Sequence, residues 1–320
     1  MSYPTGGPGK GAAPRHHRRS SAAQKRLWRR STIALAALAG CVIGGVVALA
    51  TTGPNASENS QQPPASSPDT TQNAPTTSAP APSVAAPVKP RKVSAAQLAA
   101  LPQATTEGRI PTAPADPNPR AVTDGSVVHP TRPVPVFGRP GGGPAIAAVP
   151  AIEVGSPTWL PIVARKPGWL QVLLPSKPNG RVGWLAEDSS VLKTARSGYQ
   201  VRVNLATFKL SLFNHNEQVG SWTVGTGSSV DPTPPGRTFI LGAFTDPQQN
   251  YSPIILPLGV HSPSLDSFGG GPGTVAIHTW LNRPTQNVYG AKSSNGCIRV
   301  PPAALSLIEK APLGTLVLIH

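Results

Sequence analysis

The chain reads as a mainly β protein that begins with a basic tail and an apolar segment. Three observations carry this reading. Beyond residue 121, apolar residues recur at alternate positions in short runs broken by Gly, Asn and Pro turn signals. Only one clear helical pattern occurs there, Pro302 to Lys310, with its prolines at the start, where a missing N–H costs nothing. Finally, 40 prolines and 5% aromatic residues are too many breakers and too few anchors for 320 residues to form one globule.

Taken in order, residues 1–30 carry Lys10, Arg15, Arg18, Arg19, Lys25, Arg26, Arg29 and Arg30 and no acid, within a formal net charge of +15. Their composition predicts a disordered basic cytoplasmic tail. No aromatic interleaving or recognition motif accompanies the charge, so no nucleic-acid partner is expected. Residues 31–52 form an uncharged run of Ala, Leu, Val, Ile and Gly, long enough to span a bilayer. Arginines on its N-terminal side alone predict a single-pass signal anchor, with the rest of the chain on the extracytoplasmic side. Leu38-Ala39-Gly40-Cys41 also matches a lipobox, in which Cys41 would be acylated. The apolar run continues well past Cys41, which favours the uncleaved anchor. Residues 53–120, rich in Pro, Ala, Ser and Thr, predict a disordered linker, with one short helix where Ser94 and Gln97 make a capping box.

Residues 121–196 change character. Val134 and Val136, Leu160 to Val163, Trp169 to Leu174 and Gly183 to Leu185 read as short strands, and Asn179-Gly180 is a hairpin signal. Strands at this spacing suggest a small barrel. The pattern Gly168-Trp169-Leu170-Gln171-Val172, then Gly183-Trp184-Leu185, resembles bacterial Src-homology-type barrels. Trp159, Trp169 and Trp184 either form a ligand-stacking face or fill the barrel's core; filling is the commoner use. Residues 198–320 continue in β. Val201, Val203 and Leu205 alternate, as do Phe208, Leu210 and Leu212, before the turn Asn214-His215-Asn216. His215 is expected to be exposed and inert. Asp231, Asp246 and Asp266 lie in Pro/Gly-rich loops and are expected to be solvated.

The chemistry centres on Ser294-Asn295-Gly296-Cys297-Ile298-Arg299. Asn295-Gly296 is a turn signal, and it puts Cys297 at the mouth of a tight turn with its thiol presented. Thr274 to His278 reads as a short strand ending in a histidine, and 19 residues separate His278 from Cys297, enough for a returning loop. A thiol needs a base or a cationic neighbour to become a thiolate. By themselves these residues leave an alternative open: a lone cysteine is often a small buried hydrophobe.

At these residues the chain resembles the L,D-transpeptidase (YkuD-type) family. Thr233-Pro234-Pro235-Gly236 is similar to that family's Thr-Pro-x-Gly turn, and Pro312-Leu313-Gly314-Thr315 before the terminal strand is similar to its Gly-Thr ending. The resemblance covers about Tyr199 to His320. It implies a catalytic β-sandwich with a short helix, Cys297 as nucleophile and His278 as general acid/base. Gly296, Ser294, Asn295 and Arg299 would shape the turn and the oxyanion site, and His261 and Trp280 are candidate substrate contacts. Thr279 stands where the family usually has glycine; its carbonyl would orient the imidazole. The implied substrates are peptidoglycan stem peptides, the implied inhibitors carbapenem β-lactams, and no cofactor is implied. His278, His261 and Cys297 lack metal-ligand spacing. Two rivals remain. One is an L,D-carboxypeptidase-type hydrolase using the same thioester. The other is a non-catalytic wall-binding protein with the barrel as its working part.

Overall fold

The computed structural model describes residues 88–320, apart from Gly142 and Arg283. The basic tail, the span expected at 31–52, Cys41 and the first part of the linker lie outside the described residues. No helix among the described residues is long and apolar enough to cross a membrane.

Seven antiparallel strands form the first sheet, in the order Ala145–Val149, Val134–Phe137, Arg181–Ala186, Trp169–Leu174, Leu160–Lys166, Ser126–Pro130 and Leu192–Arg196. Its strands match the alternating runs, and the hairpin falls at Asn179-Gly180, where Gly180 takes a positive φ of 68°. Trp169 and Trp184 are buried with Phe137, so two of the three tryptophans fill the core. Phe137 and Trp169 meet edge to face at 5.3 Å. Trp159 is half-buried and packs against His129 at 5.1 Å.

A second sheet has the order Glu217–Thr223, Lys209–Asn214, Tyr199–Asn204, Leu316–Ile319 and Gly236–Phe239. The terminal strand Leu316–Ile319 runs parallel to Tyr199–Asn204 and antiparallel to Gly236–Phe239. Side chains alternate faces along a strand. Leu316 and Leu318 therefore enter one hydrophobic core, shared with the first sheet, and Val317 and Ile319 enter the other. Phe239 and Leu241 join the first core in the same way, while Ile240 joins the second. Burial on both faces explains why these strands read as unbroken apolar runs. The two modules thus share a core and do not merely adjoin. The third sheet, Leu256–His261, Thr274–His278 and Ile298–Arg299, carries the candidate site. The helix Pro302–Ile308 buries Ala304, Leu305 and Ile308 behind it.

One expectation is corrected. Residues 94–120, read as linker, are part of the folded body. The capping box forms, with Gln97 N donating to Ser94 Oγ at 3.2 Å and Ser94 N donating to Gln97 Oε1 at 2.9 Å. Beyond the helix Ala95–Ala100 the chain runs along the first sheet. Ala104 N donates to Ala148 O, Ile110 N to Lys177 O and Asp116 N to Gly180 O. Ala104, Ile110 and Ala113 are buried. A proline-rich composition forbids an independent core, but it leaves extended segments free to pair with strands already in place.

The arm is fastened by a buried ion pair. Arg237 Nε and Nη2 donate to the two Asp116 carboxylate oxygens at 2.5 and 2.7 Å, with both side chains under 4% exposed. Such a pair holds partners in register rather than adding much net stability, yet breaking it strands a buried charge. We therefore expect Asp116→Ala to lose about 3–5 kcal/mol in urea unfolding, and the double variant Asp116→Leu/Arg237→Met to recover most of it. Equal losses in the single and double variants would contradict this.

Candidate active site

The parallel ladder between Thr274–His278 and Ile298–Arg299 sets Ile277 against Ile298 and His278 against Arg299. Continued by one residue, it sets Cys297 against Ala276. Residues two apart on a strand share a face, so Cys297 and His278 lie on one side of this sheet. The ladder is locked on its other edge by Gly225, which exchanges backbone hydrogen bonds with Arg299 at 2.8 and 2.9 Å.

The turn before Cys297 is held at several points. Gly296 has a φ of 108°, in the left-handed region that glycine enters without strain. Ser294 Oγ accepts from Gly296 N at 3.2 Å and donates to Cys297 O at 2.5 Å. Thr233, in the Thr-Pro-Pro-Gly turn, accepts from Gly227 N at 2.8 Å and donates to Gly296 O at 2.7 Å. Asn295 is exposed in the turn. Arg299 is buried, donates to Ser293 O at 2.6 Å, and lies 4.2 Å from the Trp280 ring centroid. These contacts hold the guanidinium against the turn and stack it on an indole.

His278 is 5% exposed, and its Nδ1 lies 2.6 Å from the Thr279 carbonyl oxygen. A carbonyl only accepts, so Nδ1 carries the proton and Nε2 is left as the acceptor. Thr279 takes the glycine position of the resembled family and is itself pinned. Its N–H donates to Ser252 Oγ at 3.0 Å and its hydroxyl to Tyr251 O at 2.8 Å. The Tyr251 ring stacks on Trp280 at 4.5 Å and approaches His278 at 5.2 Å. Tyr251, Ser252 and the Thr233–Gly296 bond could not be read from the sequence. Their loops carry no periodic signal, and only the fold brings them to the motif.

Burial dominates the electrostatics. Burial, against the Thr279 hydrogen bond and with the help of the Arg299 guanidinium, pushes His278 down to about 4. Burial pushes the Cys297 thiol up, while hydrogen bonding to the Ala276 backbone and the Arg299 charge pull it down. Cys297 remains partly accessible. Burial thus favours the neutral form of both groups, a thiol and an imidazole on one face of the sheet.

His261 is corrected. It is 1% exposed, and its Nε2 lies 2.8 Å from the Pro175 carbonyl of the first sheet's hairpin. Its backbone N–H donates to Asn179 Oδ1 at 2.9 Å, and its carbonyl accepts from Asn179 Nδ2 at 2.7 Å. Buried, and with its Nε2 held in the contact between modules, it is not exposed to substrate. Trp280 is half-buried in the aromatic stack beside His278. His215 is exposed at the tip of its turn, with a φ of 48°.

Comparison with known proteins follows this geometry. Residues 198–319 match the family model of the L,D-transpeptidase catalytic domain, YkuD. Among solved structures, the Ldtfm–avibactam carbamoyl enzyme shares 19% identity over 38% of this chain and 49% of its own, with a TM-score of 0.30. The chain thus spans about half of that protein. The catalytic domain of the E. faecium L,D-transpeptidase shares 20% identity over 38% of this chain and 96% of its own, with a TM-score of 0.27. L,D-transpeptidase 3 from Mycobacterium tuberculosis, in complex with a faropenem-derived adduct, shares 11% over 45% and 75%, with a TM-score of 0.32. No curated protein matches the chain. Residues 198–319 are thus similar to the catalytic domain of the YkuD-type L,D-transpeptidases.

The buried neutral imidazole has a consequence for stability. A histidine with a lowered folded pKa contributes stability that is complete above its unfolded value, near 6.5. That contribution is lost as pH falls toward the folded value near 4. The loss amounts to about 3 kcal/mol. Glu153, which burial pushes up to about 7, acts in the opposite sense, losing stability as pH rises from 4.5. The difference between wild type and His278→Gln isolates the first effect. We expect wild type to lose more urea stability than the variant between pH 6.5 and 4; parallel curves would contradict a buried neutral His278.

Proposed function

We propose that the chain is a membrane-anchored, wall-facing L,D-transpeptidase that joins peptidoglycan stem peptides through a Cys297 thioester. The observation that carries this is the placement of Cys297 and His278 on one face of adjacent parallel strands, with Nδ1 held by Thr279 so that Nε2 is the open base. The family match of residues 198–319 supports it. The span at 31–52 is the proposed anchor. The hydrolase rival shares every residue of the site and differs only in whether water or an amine takes the acyl group.

The reaction follows from these groups. His278 Nε2 takes the thiol proton as the Cys297 sulfur attacks the carbonyl of the donor's third residue. The C–S bond forms, the C–N bond breaks, and the imidazolium passes its proton to the departing D-amino acid nitrogen. Dividing one difficult exchange into two is the advantage of a covalent intermediate. Gly296 N–H is already engaged with Ser294 Oγ. This leaves the Cys297 N–H as the nearer donor to the tetrahedral oxyanion. The side-chain amine of an acceptor stem then attacks the thioester. The Arg299 charge, held beside the site by Ser293 and Trp280, favours the transient thiolate.

A carbapenem tests the nucleophile without the natural donor, because its strained amide acylates the same thiol. Intact-mass analysis of the full chain should show one adduct on wild type and none on Cys297→Ala. It should also show acylation slowed by about 10²-fold or more in His278→Ala, the usual range for a positioned base. Cys297→Ala should cost about 1 kcal/mol or less in unfolding. An adduct that persists in Cys297→Ala would overturn the assignment.

A further inference from the structure

An open cavity of about 380 Å³ lies against the scaffold of His278, walled by Thr245, Asp246, Gln249, Asn250, Ser252 and Leu281 with two prolines. Two wall residues belong to the network that positions the imidazole. Ser252 Oγ accepts the Thr279 N–H at 3.0 Å, and Leu281 N donates to Tyr251 O at 3.1 Å. The wall is braced from within. Gln249 Oε1 accepts from the N–H groups of Tyr251 and Ser252 at 2.9 and 3.0 Å, and its Nε2 donates to Ser252 O at 2.8 Å. The cavity is thus built into the loop and does not await a ligand to shape it.

Asp246 is the one ionisable side chain in this lining. Its Oδ1 accepts from Gln248 N at 2.9 Å, and none of the four ion pairs among the described residues includes it. A carboxylate outside the ion pairs of the described residues, in a cavity whose wall also braces the His278 scaffold, suits a positively charged ligand. Tyr251 connects the two places: its ring lies 5.2 Å from that of His278, and its backbone N–H is held by Gln249 of the cavity wall at 2.9 Å.

We propose that this cavity is the entry site of the acceptor, with Asp246 selecting the side-chain ammonium of an incoming stem peptide. The inference rests on the transpeptidase reading above. In the transfer, the ammonium yields one proton to solvent and becomes a free amine. Its lone pair forms the new C–N bond to the acyl carbon, and the C–S bond breaks. The second proton passes through His278 Nε2 to the departing Cys297 sulfur. Asp246 acts before these steps, by concentrating the cation at the site.

The experiment supplies the full chain in detergent with a synthetic donor tetrapeptide and two competing nucleophiles. One is a tripeptide stem bearing a side-chain amine on its third residue; the other is hydroxylamine, small and largely uncharged at neutral pH. Mass spectrometry reads the ratio of peptide aminolysis to hydroxylamine trapping. Asp246→Asn should lower that ratio about tenfold, through a higher acceptor KM, the scale of one lost charge-assisted hydrogen bond. Asp246→Glu should restore much of it, and Asp246→Lys should depress it further. A ratio unchanged in Asp246→Asn, or both products falling together, would overturn the acceptor site while leaving the thioester chemistry in place. Wild-type enzyme that gives neither product would overturn the transpeptidase reading and this inference with it.

Discussion

The short parallel pairing of Thr274–His278 with Ile298–Arg299 is the constraint on which the site depends. A parallel pair cannot be closed by a tight turn, so a long connection must leave the first strand and return beside it. Residues 279–297 are that connection, and they deliver both the Thr279 carbonyl and the Gly296 turn to the strand ends. The ladder fixes which residues face each other, and its backbone bonds to Gly225 keep it from slipping. A one-residue slip would put Cys297 and His278 on opposite faces.

Around this pairing the polar groups form two short chains of support, one behind His278 and one behind Cys297. Ser252 holds Thr279, Thr279 holds His278, Thr233 holds Gly296, and Ser294 closes the turn on Cys297. Buried networks of this kind specify a single arrangement because a partner left unpaired is costly. Arg299, Trp280 and Tyr251 stack in turn next to the imidazole. Thr279 shows how the site tolerates a side chain where the resembled family usually has none. The hydroxyl is used, donating to Tyr251 O, and the carbonyl needed for orientation is unchanged.

Much of this was legible in the sequence where one local pattern sufficed. Alternation identified the strands, Asn295-Gly296 announced the turn, and Ser94 with Gln97 announced the short helix. Cys297 was marked by the contiguous stretch Ser294 to Arg299, and His278 and Thr279 by the end of the apolar strand run 19 residues before it. The failures share a physical cause. The arm before residue 121 has the composition of a tether, and only strands elsewhere in the chain give its backbone partners. His261 looked like a polar residue near the site, but the hairpin at Pro175 to Gly180 claims its ring. Tyr251, Ser252 and Asp246 lie in a loop whose sequence marks it as irregular without saying what it faces. The two-sided burial of Leu316–Ile319 was visible as an apolar run, though not that the run joins two cores.

The central claim is that His278 rests as a neutral imidazole, protonated on Nδ1 by its bond to Thr279 and open at Nε2 toward Cys297. Nitrogen-15 NMR of the histidine-labelled full chain in detergent, with His278→Gln to assign the signal, reads this state directly. The account predicts a protonated-type Nδ1 and an unprotonated-type Nε2 at neutral pH, with imidazolium forming only as pH approaches 4. Both nitrogens protonated at pH 7 would contradict it and would mean that burial has been outweighed by a standing thiolate–imidazolium pair.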